Sequence, residues 1–108
     1  MTKFATEPID NEIDAYVNLQ KNVMNDKRFR ILLILKKNNS TWSELMNNLD
    51  MRNPKILHDQ INLLTSSKLI KKNEEGFYCI TKLGKSCIEV NLSIMNKLNF
   101  KNGMKNEP

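Results

Sequence analysis

Apolar residues return at helical spacing in five stretches of this chain and alternate in one short pair of runs. The clearest stretch is NPKILHDQINLLTSSKL, Asn53 to Leu69, where Ile56, Leu57, Ile61 and Leu64 form one dry stripe. Lys55, His58, Asp59 and Asn62 fall on the opposite side. Asn53 has the side chain of an N-cap, and Pro54 suits the first helical position, where no backbone donor is lost. Upstream, residues 9–24 predict an amphipathic helix capped by Asp10, with Ile13, Val17, Gln20 and Met24 along one side and Tyr16 and Val23 beside them. Residues 27–37, KRFRILLILKK, predict a second helix capped by Asp26. Its centre, Ile31 to Leu35, is apolar all round, so other elements must cover it on most sides and it becomes the hub of the core. Ser40-Thr41-Trp42 reads as a short extended piece. Thr41 and Glu44 then have capping-box spacing ahead of a third helix over 43–49, with Leu45, Met46 and Leu49 facing inward. Asp50-Met51-Arg52 is a tight turn into the helix that starts at Pro54.

Beyond Leu69, two strand-like runs flank the polar Glu74-Glu75-Gly76 and predict a β-hairpin over 70–80. Thr81 caps a last helix, 82–98, whose Gly84 sits in the first turn, where a missing side chain permits close packing. That helix carries two apolar stripes. Leu83, Cys87, Val90, Ile94 and Leu98 make one, and Ile88, Leu92 and Met95 make the other, more than a single neighbour covers. The fold class is therefore mainly α with a small β-hairpin wing: a winged helix-turn-helix with extra N- and C-terminal helices. Residues 1–8 are expected to be a flexible tail, 9–100 one winged helix domain (N-terminal helix 9–24, winged core 27–81, C-terminal dimerisation helix 82–98), and 101–108 a flexible basic tail.

Composition narrows the function. Length, 108 residues, fits one domain, and 17 Lys and Arg against 12 Asp and Glu give a net charge of +5, which favours a polyanionic partner. The charge is unevenly placed. Up to residue 26, two lysines face five acids, a local −3, while basic residues cluster from Lys27 onward and around the Asn53 helix. A chain so divided can turn one basic face to a phosphate backbone. No run is long enough to span a membrane, and the first ten residues hold no hydrophobic signal segment, so a cytoplasmic location is expected. Two cysteines, Cys79 and Cys87, and one histidine are too few for a disulfide framework or a metal site. No catalytic triad, phosphate-cradling loop or carboxylate pair is present, so neither an enzyme nor a cofactor is expected. No small-molecule effector is specified.

Four pieces in order carry a resemblance: RFRILLILKK (28–37), TWSELMNNLDM (41–51), LHDQINLLTSSKLIKK (57–72) and FYCITKLGK (77–85). Together they resemble the winged helix-turn-helix transcriptional regulators, in particular the small archaeal type related to the ArsR and MarR groups. The resemblance implies a double-stranded DNA partner, with the helix 54–68 entering the major groove. Base reading near its start then falls to Asn53, Lys55, His58, Asp59 and Asn62, and phosphate contacts to Arg52 and to Ser40 or Ser43. The wing departs from the pattern, because Glu74 and Glu75 stand at a tip that should face phosphate. Either the tip stays off the DNA and Lys71 and Lys72 do the backbone work, or the winged helix serves as a protein-interaction adaptor in transcription machinery without specific DNA binding. Related regulators pair through their terminal helices, which implies a homodimer using Ile13, Val17, Ile88, Leu92 and Met95, with Cys87 at the boundary between stripes. In the opposing arrangement the first helix covers both stripes within a monomer.

Overall fold

The computed structural model describes residues 7–98; the N-terminal tail up to residue 6 and the basic tail 101–108 lie outside the described residues. Five helices and one hairpin follow in the order α1 (Asp10–Val23), α2 (Asp26–Lys37), α3 (Trp42–Asn48), α4 (Pro54–Ser66), β1 (Ile70–Lys72), β2 (Tyr78–Ile80) and α5 (Lys82–Lys97). The strands pair antiparallel, with Ile70 opposite Ile80 and Lys72 opposite Tyr78.

Each start is set by a local cap. Thr41 and Glu44 form the expected box: Thr41 Oγ1 accepts from Glu44 N at 3.2 Å, and Glu44 Oε1 accepts from Thr41 N at 2.8 Å. Asn53 Oδ1 accepts from Lys55 N at 2.9 Å, ahead of Pro54. Two caps fall one residue earlier than expected. Asn25, not Asp26, receives the N–H groups of Lys27 and Arg28, which leaves Asp26 free to pair with Arg30 at 2.8 Å. Ile9, not Asp10, precedes α1, and its backbone N–H is satisfied by Glu12 Oε1 at 3.1 Å.

The two helix ends that frame the helix-turn-helix use the same closure. After α3, Met51 N donates to Met46 O and Asp50 N to Asn47 O, with Asp50 left-handed at φ 50°. After α4, Leu69 N donates to Leu64 O and Lys68 N to Thr65 O, with Lys68 at φ 63°. Both are Schellman endings built without glycine. Asp tolerates that conformation through its short polar side chain, whereas Lys does not and stores about 1 kcal/mol.

The core is one cluster. Ile31, Leu32 and Leu35 of α2 are buried with Leu45 of α3, Leu57, Ile61 and Leu64 of α4, Leu69, Ile70, Val23 and Ile88. Helix α2 is thus the hub, but it is not covered all round: Leu33 and Ile34 are half-buried and, with the half-buried Ile56, line an open cleft beside the α3–α4 turn. Arg28 ties the hub to its neighbours, donating from Nε to Asn22 O and from Nη1 to Gln60 Oε1, each at 2.6 Å. Burial pulls its guanidinium below the ordinary arginine value.

The terminal helices turn faces other than those expected. In α5 the inward residues are Gly84, Ile88 and Asn91, with Cys87 and Leu92 packed at the edge of the core. Ile88, at 0 % exposed, belongs to the interior of its own chain, and Leu92 is half-buried; neither forms a spare stripe. Gly84 sets this rotation. A Cβ there would collide with the carbonyl oxygen of Leu69 and come within 2.8 Å of Ile80 Cγ1, so α5 lies tight against the wing base on that side. Residues four and seven positions on then point inward too. The outward stripe is Leu83, Val90, Ile94 and Leu98, with Met95 beside it. Helix α1 packs through Leu19 and Val23, and Asn22 Nδ2 reaches Ser67 Oγ at 2.6 Å. Ile13, Tyr16, Val17 and Met24 are exposed.

Gly84→Ala should therefore destabilise the chain by about 1–3 kcal/mol through overpacking, despite alanine's better helix propensity. Urea denaturation is the check, and an unchanged or raised midpoint would show that the contact is not tight in solution.

Candidate nucleic-acid interface

The outer face of α4 is a polar surface on a helix anchored in the core. Its inner residues Leu57, Ile61 and Leu64 are locked in the core, so Lys55, His58, Asp59 and Asn62 are held outward, with Arg52 and the capping Asn53 just before the first turn. These side chains pair among themselves. Lys55 Nζ lies 3.1 Å from Asp59 Oδ2, and Asn62 Nδ2 lies 3.1 Å from His58 Nε2. The His58 ring also meets Trp42 of α3, tilted by 56° with centroids 6.4 Å apart. Sequence reasoning missed this contact because the two residues lie on different helices and meet only when the turn folds. Asn53 spends its Oδ1 on the cap, leaving Nδ2 as the group it can present.

Exposed pairs of this kind contribute about 0–1 kcal/mol, so opening them costs little beside the about 1–3 kcal/mol of discrimination that one bidentate base contact supplies. Arg52 and Ser43 are exposed beside this face. Ser40 is a correction. At 4 % exposed, its Oγ donates to Asn38 O, and its backbone N and O both pair with Tyr78, at 3.1 and 2.7 Å. It forms a one-residue third strand on the wing and cannot touch phosphate.

The wing is closed by Asn73. Its Oδ1 accepts from Glu75 N and Phe77 N, each at 2.9 Å, and Gly76 supplies the φ of 90° that the turn requires. Glu74 and Glu75 are exposed at the tip. Lys71 is exposed on β1, and Lys72 Nζ sits 5.4 Å from the centre of the Tyr78 ring, a cation–π contact that fixes its direction. Arg52 also shares the cleft of about 640 Å3 beside the turn with Lys27 and Arg30, cations that the sequence alone did not group with it.

Of the expected pairing residues, Ile13, Val17 and Met95 are exposed, whereas Ile88 is fully interior and Leu92 and Cys87 are partly covered. Burial pushes the Cys87 thiol up from its ordinary value. Among the described residues no helix is long and apolar enough to cross a membrane.

No family model and no curated protein sequence matches the chain. Solved structures do. HlyU from Vibrio cholerae superposes with a TM-score of 0.70 at 23% identity, covering 80% of this chain and 97% of that one. Reduced HlyU gives 0.67 at 25% identity over 75% and 88%. Rv0081 of M. tuberculosis gives 0.67 at 19% over 89% and 93%, and quinone-bound YodB of B. subtilis gives 0.65 at 14% over 84% and 98%. These neighbours are winged-helix regulators of the ArsR/MarR type, all from bacteria, and nothing among them supports the archaeal subtype. Five helices and a two-stranded antiparallel wing among the described residues, and superposition on these neighbours over 75–89% of the chain, identify it as having the winged helix-turn-helix fold.

Proposed function

We propose that this chain is a sequence-specific double-stranded DNA-binding transcription regulator that acts as a homodimer, with α4 in the major groove. The observation that carries the reading is the outer face of α4, where Lys55, His58, Asp59 and Asn62 stand on a helix whose opposite face is locked in the core. A helix held this way presents short donors and acceptors to base edges without loss of register, and its first turn bears most of the reading. Arg52 and Ser43 supply phosphate contacts beside it, and Lys71 and Lys72 contact the backbone from the wing's first strand while its acidic tip stands clear. That the solved neighbours are transcription regulators of the same fold supports the assignment.

Pairing of two copies follows from the apolar surface that the fold leaves uncovered. Ile13, Tyr16 and Val17 on α1, Met24 just after it, Leu83, Val90 and Ile94 on α5 and Leu98 just after it are all more than a third exposed, and exposed apolar side chains grouped on a helix face mark interaction surfaces. In the proposed dimer these two faces meet their symmetry mates. A twofold axis there would set two α4 helices about one DNA turn apart.

Two measurements test these proposals separately. Lys55→Ala and Asn62→Ala should each weaken binding to a preferred duplex relative to random duplex by about 1–3 kcal/mol, read by fluorescence anisotropy at fixed salt. Equal binding of wild type and both variants to every duplex would remove the base-reading roles, and no affinity at low salt would favour the protein-interaction reading. Ile94→Glu, on the exposed stripe and outside the core, should convert a dimer into a folded monomer in sedimentation equilibrium. A monomeric wild type at micromolar concentration, or a variant that stays paired, would rule out that face.

A further inference from the structure

Trp42 and His58 are the only tryptophan and the only histidine of the chain, and they lie against each other. Their ring centroids are 6.4 Å apart with planes tilted by 56°, within the range of about 4.5–7 Å over which aromatic rings attract. The two differ in freedom. His58 is exposed on the outer face of α4, whereas Trp42 is half-buried and packs on the core. The position of Trp42 is also set from two directions. Ser40, two residues before it, pairs through its backbone N and O with Tyr78 of the wing, and the Thr41–Glu44 box closes the turn in which Trp42 begins α3. One ring is therefore fixed by the fold, and the other leans on it.

The other candidate readers have no such support. Among the described residues, the polar partners of Asn53, Lys55, Asp59 and Asn62 all lie on α4 itself or at its cap. An exposed side chain held only within its own helix exchanges among staggered rotamers, and ordering it on a base edge costs free energy. His58 is spared part of that cost by a group from another helix. When its 3.1 Å bond to Asn62 gives way to DNA, the contact with Trp42 stays, because it involves the rings rather than a hydrogen bond. We infer that Trp42 is a positioning residue for base reading: it holds the His58 ring so that a ring nitrogen meets one base edge, and the two residues discriminate at that base pair as a unit. The inference rests on the entry of α4 into the major groove proposed above. Trp42 itself need touch neither base nor phosphate.

The pair is tested first in the free, full-length chain by NMR. Wild type should show nuclear Overhauser contacts between the ring protons of His58 and Trp42, each assignable because each residue type occurs once. Their absence overturns the inference whatever happens on DNA. The second test is a double-mutant cycle on the duplex that wild type enriches from a random-sequence library and on its single-base variants, read by fluorescence anisotropy. His58→Ala should lower discrimination at one base pair by about tenfold or more, the loss of one base contact. Trp42→Leu should lower it at the same base pair by about threefold to tenfold, the worth of an aromatic pair, and add nothing in the His58→Ala background. Trp42→Phe should restore it, and the salt dependence should match wild type in every variant, since phosphate contacts are untouched. Should Trp42→Leu not fold, Trp42→Met takes its place. Affinity lost equally on every duplex, or losses in Trp42→Leu and His58→Ala that simply add, would make Trp42 a core residue and overturn the inference while leaving base reading by α4 intact. If no duplex is enriched, or His58→Ala relaxes no base pair, the reading role of His58 itself has failed and the inference falls with it.

Discussion

The carbonyl of Leu69 is the point on which the arrangement of α4, wing and terminal helix depends. It accepts Thr81 N at 3.0 Å and lies 3.1 Å from Thr81 Oγ1, the same hydroxyl that donates to Lys68 O at 2.7 Å and receives Gly84 N at 3.0 Å. Gly84 permits this closeness because any side chain would occupy the space of that carbonyl. One backbone group thus joins the end of α4, the base of both strands and the first turn of α5. The left-handed Lys68 delivers the chain to it, so the strain stored there is tied to the direction in which the wing leaves α4.

From this junction the two working surfaces are fixed at once. Leu57, Ile61 and Leu64 share the core with Ile31, Leu32 and Leu35 of α2, which leaves α4 no freedom to roll. Its outer side chains are held in position yet only weakly engaged with one another, since the Lys55–Asp59 and His58–Asn62 pairs are exposed. A rigid helix bearing loosely paired polar groups suits exchange of those pairs for base edges. The wing carries its acids, Glu74 and Glu75, at the tip, while Lys72 on the strand just before the turn is held against the Tyr78 ring opposite it.

Element order was legible in the sequence because it rests on local signals: the Thr41–Glu44 box, the Asn53-Pro54 start, the polar turn at Glu74-Glu75-Gly76 and the Thr81 cap all act within four residues of themselves. Rotation of the terminal helices was not. Helix α5 carries two apolar stripes, and only the close approach of Gly84 to Leu69, a contact across fifteen residues of chain, decides that Ile88 turns in while Val90 and Ile94 turn out. The same limit applied to the site. Ser40 has the composition of a phosphate contact, but its pairing with Tyr78 across the fold hides it, and Trp42 meets His58 only once the turn brings α3 and α4 together. Which face a side chain takes was legible where the periodicity of one helix decides it, as on α4, and not where a second element does.

The central claim is that α4 reads bases, twice, about one helical turn apart. Selection of bound duplexes from a random-sequence library tests it most directly. The account predicts an enriched inverted repeat with half-site centres about 10 base pairs apart, in which single-base changes within a half-site each weaken binding by about 1–3 kcal/mol. A pool that stays random after repeated selection, with binding governed by salt alone, would contradict it.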